Sequence, residues 1–594
     1  MLGFNNNVIR VDVGRRTHES IDIPDRVLRT RFGAKGLGSY LLLRYNPAGV
    51  DPLASENNLI FAIGPATGTP LWGSCRHGVY TKSPQTGFYS ESYSGGTVAD
   101  RICAAGLDAL VVSGAAETPV WIEIGNGEVT FHPADDLWGL DTYAAEDAIK
   151  DWIVKNRPEA GKAGVVVIGP AGENLVKLSL INNDYWRQAG RTGVGAVMGS
   201  KRVKGIAFWG DRKKAVADAE GLKAFAAEFL KENRDAPASN AFKTKGTPMM
   251  VDLLHKAGAF PAKYWSQGRV AHQDQINADA LHTRCDVKPH PCLKCFMACG
   301  RLSTVKEGRH KGLRIDGPEY ETIYTFGGLC MVESIEEIAY INDRCDRLGL
   351  DTMSAGNLVA FTIEAGKRGK VDTDLDYGDV DGIVALVEDI AHRRGLGAVL
   401  AQGIRHAARE WDAEDLAVHV KGMEPSGYDP RVLKGMSLAY GTSDRGACHL
   451  RSTFYKFELG GLFDPEQIEG KAAAFADWED RHILMDTMIF CRFYRDFYSW
   501  EVFQKVVRLL TGEEMSEAEL RAVSRTVHDD TRRFNLREGL TPEDDRLPSR
   551  LLNEVLPETG KGISEEQMLQ MLEEYYKARH WDAEGRPEPV EDPA

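Results

Sequence analysis

The chain has no apolar run approaching the ~20 residues that a membrane-spanning helix needs. Its start, Met1 to Asn7, also lacks the basic and then apolar blocks of a secretory leader. A cytoplasmic protein without a membrane span is therefore expected. Positive charge is scarce: 72 Lys and Arg stand against 87 Asp and Glu, a net charge of −15. Such a surface repels a phosphate backbone, which argues against nucleic acid as a partner. It leaves a small neutral substrate or a basic electron carrier compatible. Cysteine is sparse, ten residues in 594, and a reducing compartment keeps it out of disulfides. Cys75, Cys103, Cys285, Cys330, Cys345 and Cys448 are scattered and read as small buried apolar residues. There is no tandem repeat and no long low-complexity tract.

The first 210 residues are rich in Gly and β-branched residues. Runs such as Leu59 to Ile63, Ala109 to Val112 and Gly164 to Gly169, punctuated by Gly and Pro, predict strands. Beyond Trp209 the texture turns helical, for example over 215–230, 336–348, 467–488 and 564–579, with a loop at 371–381. The expected fold class is α+β: a β-rich domain over 1–210, then mainly helical domains over 211–416 and 417–594. The tail from Ala583, with Pro587, Pro589 and Pro593, is expected to pack poorly.

One group of cysteines is not scattered. Cys292, Cys295 and Cys299 stand at i, i+3 and i+7, a compact spacing that lets three thiolates converge on one metal centre. Iron and zinc both accept thiolates, and either needs a fourth ligand. From the residues alone Cys285 or His290 could supply it, and a zinc site remains open. No second motif of this kind follows. Two further segments, Asp346 to Asp351 and Asp486 to Cys491, each place an Asp after a helical stretch, where a carboxylate can accept hydrogen bonds from a heterocycle or simply cap a helix. The glycine-rich stretch 187–202, with Arg187, Arg191, Lys201 and Arg202, suits an anionic ligand. It is neither a P-loop nor a dinucleotide fingerprint, since it lacks the Gly-Lys-Ser/Thr and the acidic residue those require.

Together these segments resemble the aldehyde:ferredoxin oxidoreductase family of tungsten enzymes. The likeness covers nearly the whole chain. It runs through Gly36-Leu37-Gly38, Gly190 to Lys201, Cys292/Cys295/Cys299, Pro318 to Thr322, Gly349 to Ser354, Tyr428 to Arg431, Ala439 to Arg451 and Glu574 to Tyr576. The resemblance implies a β-rich base under two helical domains. It also implies tungsten (or molybdenum) held by two pterins whose phosphates Mg²⁺ bridges, and one 4Fe-4S cluster. Cys491 becomes the fourth cluster ligand. Asp346 and Asp486, with Asp351, bind the pterins, and Arg76, Gly95, Arg187, Ala189, Gly190 and Arg451 line pterin and phosphate groups. The sequence departs from the family at Ile489-Phe490, where Gly-Leu is usual, and at Tyr93, where Asn is common. It reads Tyr340 to Asp343 where some members carry a Glu-x-x-His pair for a metal bridging two subunits.

The implied reaction is oxidation of an aldehyde to a carboxylic acid, with electrons leaving to ferredoxin or to a dedicated iron–sulfur subunit. The chain itself is expected in a homodimer or hetero-oligomer. Glu321, with Glu319 as its rival, and His449 are the candidate proton-transfer groups. The apolar neighbours of His449 are expected to hold it near neutrality. Trp72, Tyr264, Trp265, Phe326 and Tyr455 are candidate pocket aromatics. Two alternatives stand beside this one: low-potential reduction of an acid or an aromatic acyl-CoA on the same scaffold, and a zinc-stabilised, non-catalytic interaction subunit.

Overall fold

The structure is a computed structural model that describes residues 1–589. The amino-terminal region folds as two six-stranded mixed sheets. The first contains β1 (Val8–Asp12), β2 (Thr17–Ile21), β3 (Leu59–Ala62), β4 (His77–Lys82), β5 (Tyr89–Ser94) and β6 (Ala109–Ser113), in the order β2-β1-β6-β3-β4-β5. The second contains β7 (Val120–Gly125), β8 (Glu128–Pro133), β9 (Gly164–Val167), β10 (Ile181–Asn183), β11 (Arg187–Ala189) and β12 (Val203–Trp209), in the order β11-β10-β9-β12-β7-β8. Each has one parallel pair, β1 with β6 and β7 with β12.

Alternation along the strands explains the packing. Leu59 and Phe61 join Val166 and Ile206 in the core between the sheets. Ile60 and Ala62 face the opposite way, onto the helix Ala34–Tyr45. Val165 and Val167 likewise turn toward the helix Thr142–Asn156. With both faces covered, the strands read as continuous apolar runs.

The remainder is largely helical, an α+β fold as expected, with one insertion that the helical texture hid. β13 (Cys285–His290), β14 (Gly300–Val305) and β15 (Arg314–Asp316) form a small antiparallel sheet. The loop joining β13 to β14 carries Cys292, Cys295 and Cys299, so the strand ends position it rather than a helical turn.

Two helices end beside the site. Ile335–Leu348 starts at Ser334, whose side chain accepts the Glu337 N–H, and stops at Gly349 in the left-handed region (φ 77°). Lys471–Met488 stops in the same way, but on Ile489 (φ 72°), a β-branched residue in a conformation that glycine takes without strain. The tail does not hang loose over its described part. The Gly585 carbonyl accepts Arg532 Nε at 2.8 Å and that of Glu588 accepts Arg533, while Pro593 lies outside the described residues.

Candidate active site

The site lies where the sheet ends at Arg76, Gly95 and Arg187 to Arg191 meet the helical part. Four thiols gather there. Cys491 donates its N–H to the Gly73 carbonyl at 2.9 Å, and Gly73 donates its own to Lys294 at 3.0 Å, so the turn before β4 pins both cysteine segments. A Cβ on Gly95 would stand 2.8 Å from Cys292 Sγ, which explains a glycine at that point. Cys292 is held low by a hydrogen bond from Cys75 and by the guanidinium groups of Arg187 and Arg76. Cys295 is pushed up to about 11 by burial and then by Cys491, and burial and Glu319 push Cys299 well up. Several thiolates side by side need a cationic centre among them, and iron supplies one. Among the described residues no three His, Cys, Asp or Glu converge closely enough for a single metal ion.

Two residues here were not singled out from sequence. Cys75, read there as an inert buried thiol, is in fact the hydrogen-bond partner of Cys292. Tyr494, fully buried, donates its hydroxyl to Cys295 Sγ at 3.5 Å and accepts the Phe296 N–H at 3.0 Å. Arg76 hydrogen-bonds Cys491; burial opposes its charge, but Cys491, Cys292 and Cys75 more than offset that and keep it protonated. Arg187 reaches Asp316 at 2.6 Å and the His290 carbonyl at 3.0 Å.

Beyond the thiols runs a buried chain of charges. Arg451 Nη1 lies 2.6 Å from both Glu91 and Asp486, and Asp486 also takes Arg492. Lys35 joins Glu91 to Asp444. Tyr93 donates to Glu91 and lies under the Arg451 guanidinium, so the residue that departs from the family sits in this chain.

Asp346 and Asp351 behave differently from one another. Asp346 accepts Gln188 at 2.9 Å and Asn342 at 2.8 Å, and burial, with Asp343 close by, pushes its carboxyl well up. Asp351 caps the helix Thr352–Lys367 through the N–H groups of Met353 and Ser354 and holds Arg191 Nε at 3.2 Å. Ala189 is fully buried in β11. Gly190 has only the Asp351 carboxylate near a notional Cβ, at 3.8 Å. The Lys201 end of the same glycine-rich stretch instead binds the carbonyls of Ser55 and Gly114.

Glu321 and His449 come together, their Oε1 and Nε2 3.3 Å apart. Glu321 Oε2 accepts the Gly427 N–H at 3.1 Å, while burial pushes the carboxyl up to about 8. The expectation for His449 needs correction. Burial, followed by Arg191, Arg445 and Arg451, holds it well below neutrality rather than near it, because its sequence neighbours are apolar but its spatial neighbours are cationic. Glu319 points elsewhere, to Thr247 on the cysteine side. Of the candidate aromatics, Tyr455 stacks on Tyr428 (4.0 Å), whose ring is 5.1 Å from that of His449. Trp72 lies against Phe296, and Tyr264, Trp265 and Phe326 are core.

Glu321 Oε1, His449 Nδ1, Arg451 Nε, Arg492 Nε, Arg445 Nε and Asp343 Oδ1 are buried with no hydrogen-bond partner among the described residues. Each such atom costs ~1–3 kcal/mol unless a ligand meets it. Donors and acceptors of both kinds, flanked by carboxyl groups and guanidinium groups, suit a polar heterocycle bearing phosphates. The residues present therefore fit a pterin cofactor.

This layout, a double-sheet base under helices with thiols and unpaired polar atoms at the junction, defines a redox-enzyme scaffold. Family models described as the N-terminal domain and as domains 2 and 3 of aldehyde ferredoxin oxidoreductase match residues 8–210 and 224–591. The chain belongs to the aldehyde ferredoxin oxidoreductase family and is an oxidoreductase of it. It is 33% identical to the tungsten-containing aldehyde ferredoxin oxidoreductase of Thermococcus kodakarensis, over 99% of this chain and 98% of that protein. It is equally similar to that of Pyrococcus furiosus, 33% over the same shares. The fold is shared with the active-site complex BamBC of benzoyl coenzyme A reductase in complex with 1,5-dienoyl-CoA (TM-score 0.83, 23% identity, 99% of this chain and 96% of that one). Among the described residues no helix is long and apolar enough to cross a membrane.

Proposed function

We propose that this protein oxidises aldehydes to carboxylic acids and passes the electrons to a ferredoxin or an iron–sulfur partner subunit. It would do so in three domains, 1–210, 211–416 and 417–594. Bound, a tungsten (or molybdenum) bis-pterin with Mg²⁺ on its phosphates supplies the two-electron acceptor, and a 4Fe-4S cluster supplies the one-electron exit. Asp346 and the Glu91–Arg451–Asp486 chain would hold the pterins, and Cys292, Cys295, Cys299 and Cys491 the cluster. The observation that carries the reading is the buried Glu321–His449 pair, with Oε1 and Nδ1 both unpartnered.

Oxidation of an aldehyde with water releases two electrons and two protons, so the site needs a base. Ionised Glu321, anchored through Oε2 on Gly427, can take a proton from the attacking water at Oε1, which lies 3.3 Å from His449 Nε2 and makes no hydrogen bond among the described residues. Neutral His449 can donate a hydrogen bond to the carbonyl oxygen as negative charge develops there. The Tyr428–Tyr455 stack walls the pair and limits water entry. The test is elemental analysis for tungsten, molybdenum, iron and zinc together with dye reduction by a panel of aldehydes. Metal-loaded protein that ignores every aldehyde but turns over aromatic acyl-CoA, with reduced carrier, would replace this reading by the reductive one.

A further inference from the structure

The net charge of −15 is compatible with a basic electron carrier, but the face over the cysteines has the opposite local character. Segment 236–250 contains Lys243 and Lys245 and no acidic residue, and segment 287–302 contains Lys288, Lys294 and Arg301 and none either. The two are joined structurally: Arg301 donates to the carbonyls of Lys243 and Thr244 at 2.8 and 2.9 Å, and also reaches the Ala298 carbonyl beside Cys299. Lys288 stands on β13, two residues before His290, at the entry to the cysteine loop. Of the nearby acids, Asp279 is engaged by Lys245, Asp286 by Lys306 and Asp496 by Lys456, while among the described residues exposed Glu232 and Glu307 have no ion pair. Among the described residues Lys243 and Lys288, both exposed, have no ion-pair partner, while Lys294 is taken by Asp100.

Inside this basic rim the surface is apolar. Leu293, between two cysteines, is 42% exposed. Trp72, Phe242, Phe296, Phe493 and Phe497 are half-buried rather than sealed in the core. They pack on one another, Phe242 against Phe493 at 4.3 Å and Trp72 against Phe296 at 5.6 Å. The cysteine loop thus reaches the surface at Leu293, between Cys292 and Cys295. A small aromatic patch with unpaired lysines at its edge is what a transient, electrostatically steered partner needs: modest area, quick release and an oriented approach.

We infer that this face docks an acidic one-electron iron–sulfur carrier, with the aromatic patch against the carrier's cluster and Lys243 and Lys288 against its carboxylates. The inference rests on the reading that the four cysteines hold the electron exit. Titrating an acidic ferredoxin into the metal-loaded protein at ~20 mM salt gives the Kd directly, without a substrate. Lys243→Glu/Lys288→Glu should weaken binding about tenfold or more and flatten its salt dependence, while Lys577→Glu, a reversal on a distant exposed lysine, leaves it unchanged. Aldehyde-driven reduction of a small dye should be the same in all three proteins. An unmodified protein that does not bind the acidic carrier, or a double reversal that binds as before, overturns the docking surface. Binding as expected with no aldehyde-driven dye reduction upholds the surface and sinks the aldehyde reading instead.

Discussion

Replacing Glu321 by Gln keeps the Gly427 N–H···O hydrogen bond and the side-chain volume but removes the base. With the carboxyl pushed up to about 8 by burial, only about a tenth of the protein carries ionised Glu321 at pH 7, and about nine-tenths at pH 9. The parent enzyme should therefore gain about tenfold in kcat/KM per pH unit below pH 8 and level off above it. His449 is held neutral across this range, so it adds no second limb. Glu321→Gln should lose about 10²–10⁴ in kcat/KM and should lose the limb, leaving a flat profile. Stability gives a second readout. The folded carboxyl lies above its ordinary 4.5, so its contribution is full below that value and is lost as pH rises through about 8. The parent should fall relative to the Gln variant across that window, by at most ~5 kcal/mol. The assay is initial-rate kinetics with one aldehyde from pH 6 to 9.5, on protein of equal metal content, with thermal melts from about pH 4.5 to 9.5. A Gln variant that retains the limb, or more than half of the parental rate, would show that another group takes the proton.

Three other outcomes are expected. Cys491→Ala should lose iron and the reduced-cluster EPR signal while keeping the pterin metal; full iron with an unchanged signal removes Cys491 from the ligand set. Tyr494→Phe deletes the hydroxyl that donates to Cys295. If that hydrogen bond favours the reduced, more negative cluster by ~0.7–1.4 kcal/mol, the midpoint potential should drop by ~30–60 mV; an unmoved midpoint in an EPR redox titration at full iron content rejects it. At Ile489, relief of left-handed strain is worth ~1–2 kcal/mol, but the side chain is buried and its loss costs ~2–5 kcal/mol, so burial wins. Ile489→Gly should lower stability by ~1–3 kcal/mol in denaturant titration, and a more stable variant would mean that strain dominates.

The sequence by itself carried whatever depends on local spacing and pattern. Continuous apolar runs marked β3, β6 and β9, because burial of both sheet faces writes itself into consecutive residues. The helices at 335–348 and 471–488 showed in their periodicity and the i, i+3, i+7 thiols in their spacing. Motifs along nearly the whole chain pointed to the family. What it could not carry was proximity between distant segments. Cys75 looked like an isolated buried thiol and proved to be bonded to Cys292. The small sheet flanking the cysteine loop was hidden by helical texture around it. His449 looked apolar from Cys448 and Leu450, and in the fold burial first, then Arg191, Arg445 and Arg451 gathered around it, hold it well below neutrality. Only the fold chose Glu321 over Glu319 as the neighbour of His449, by turning one toward Gly427 and the other toward Thr247. Electrostatics acts through space rather than along the chain. The main helices and the apolar strands were therefore legible in the sequence, while the small sheet and the charge states of the site waited for the tertiary structure.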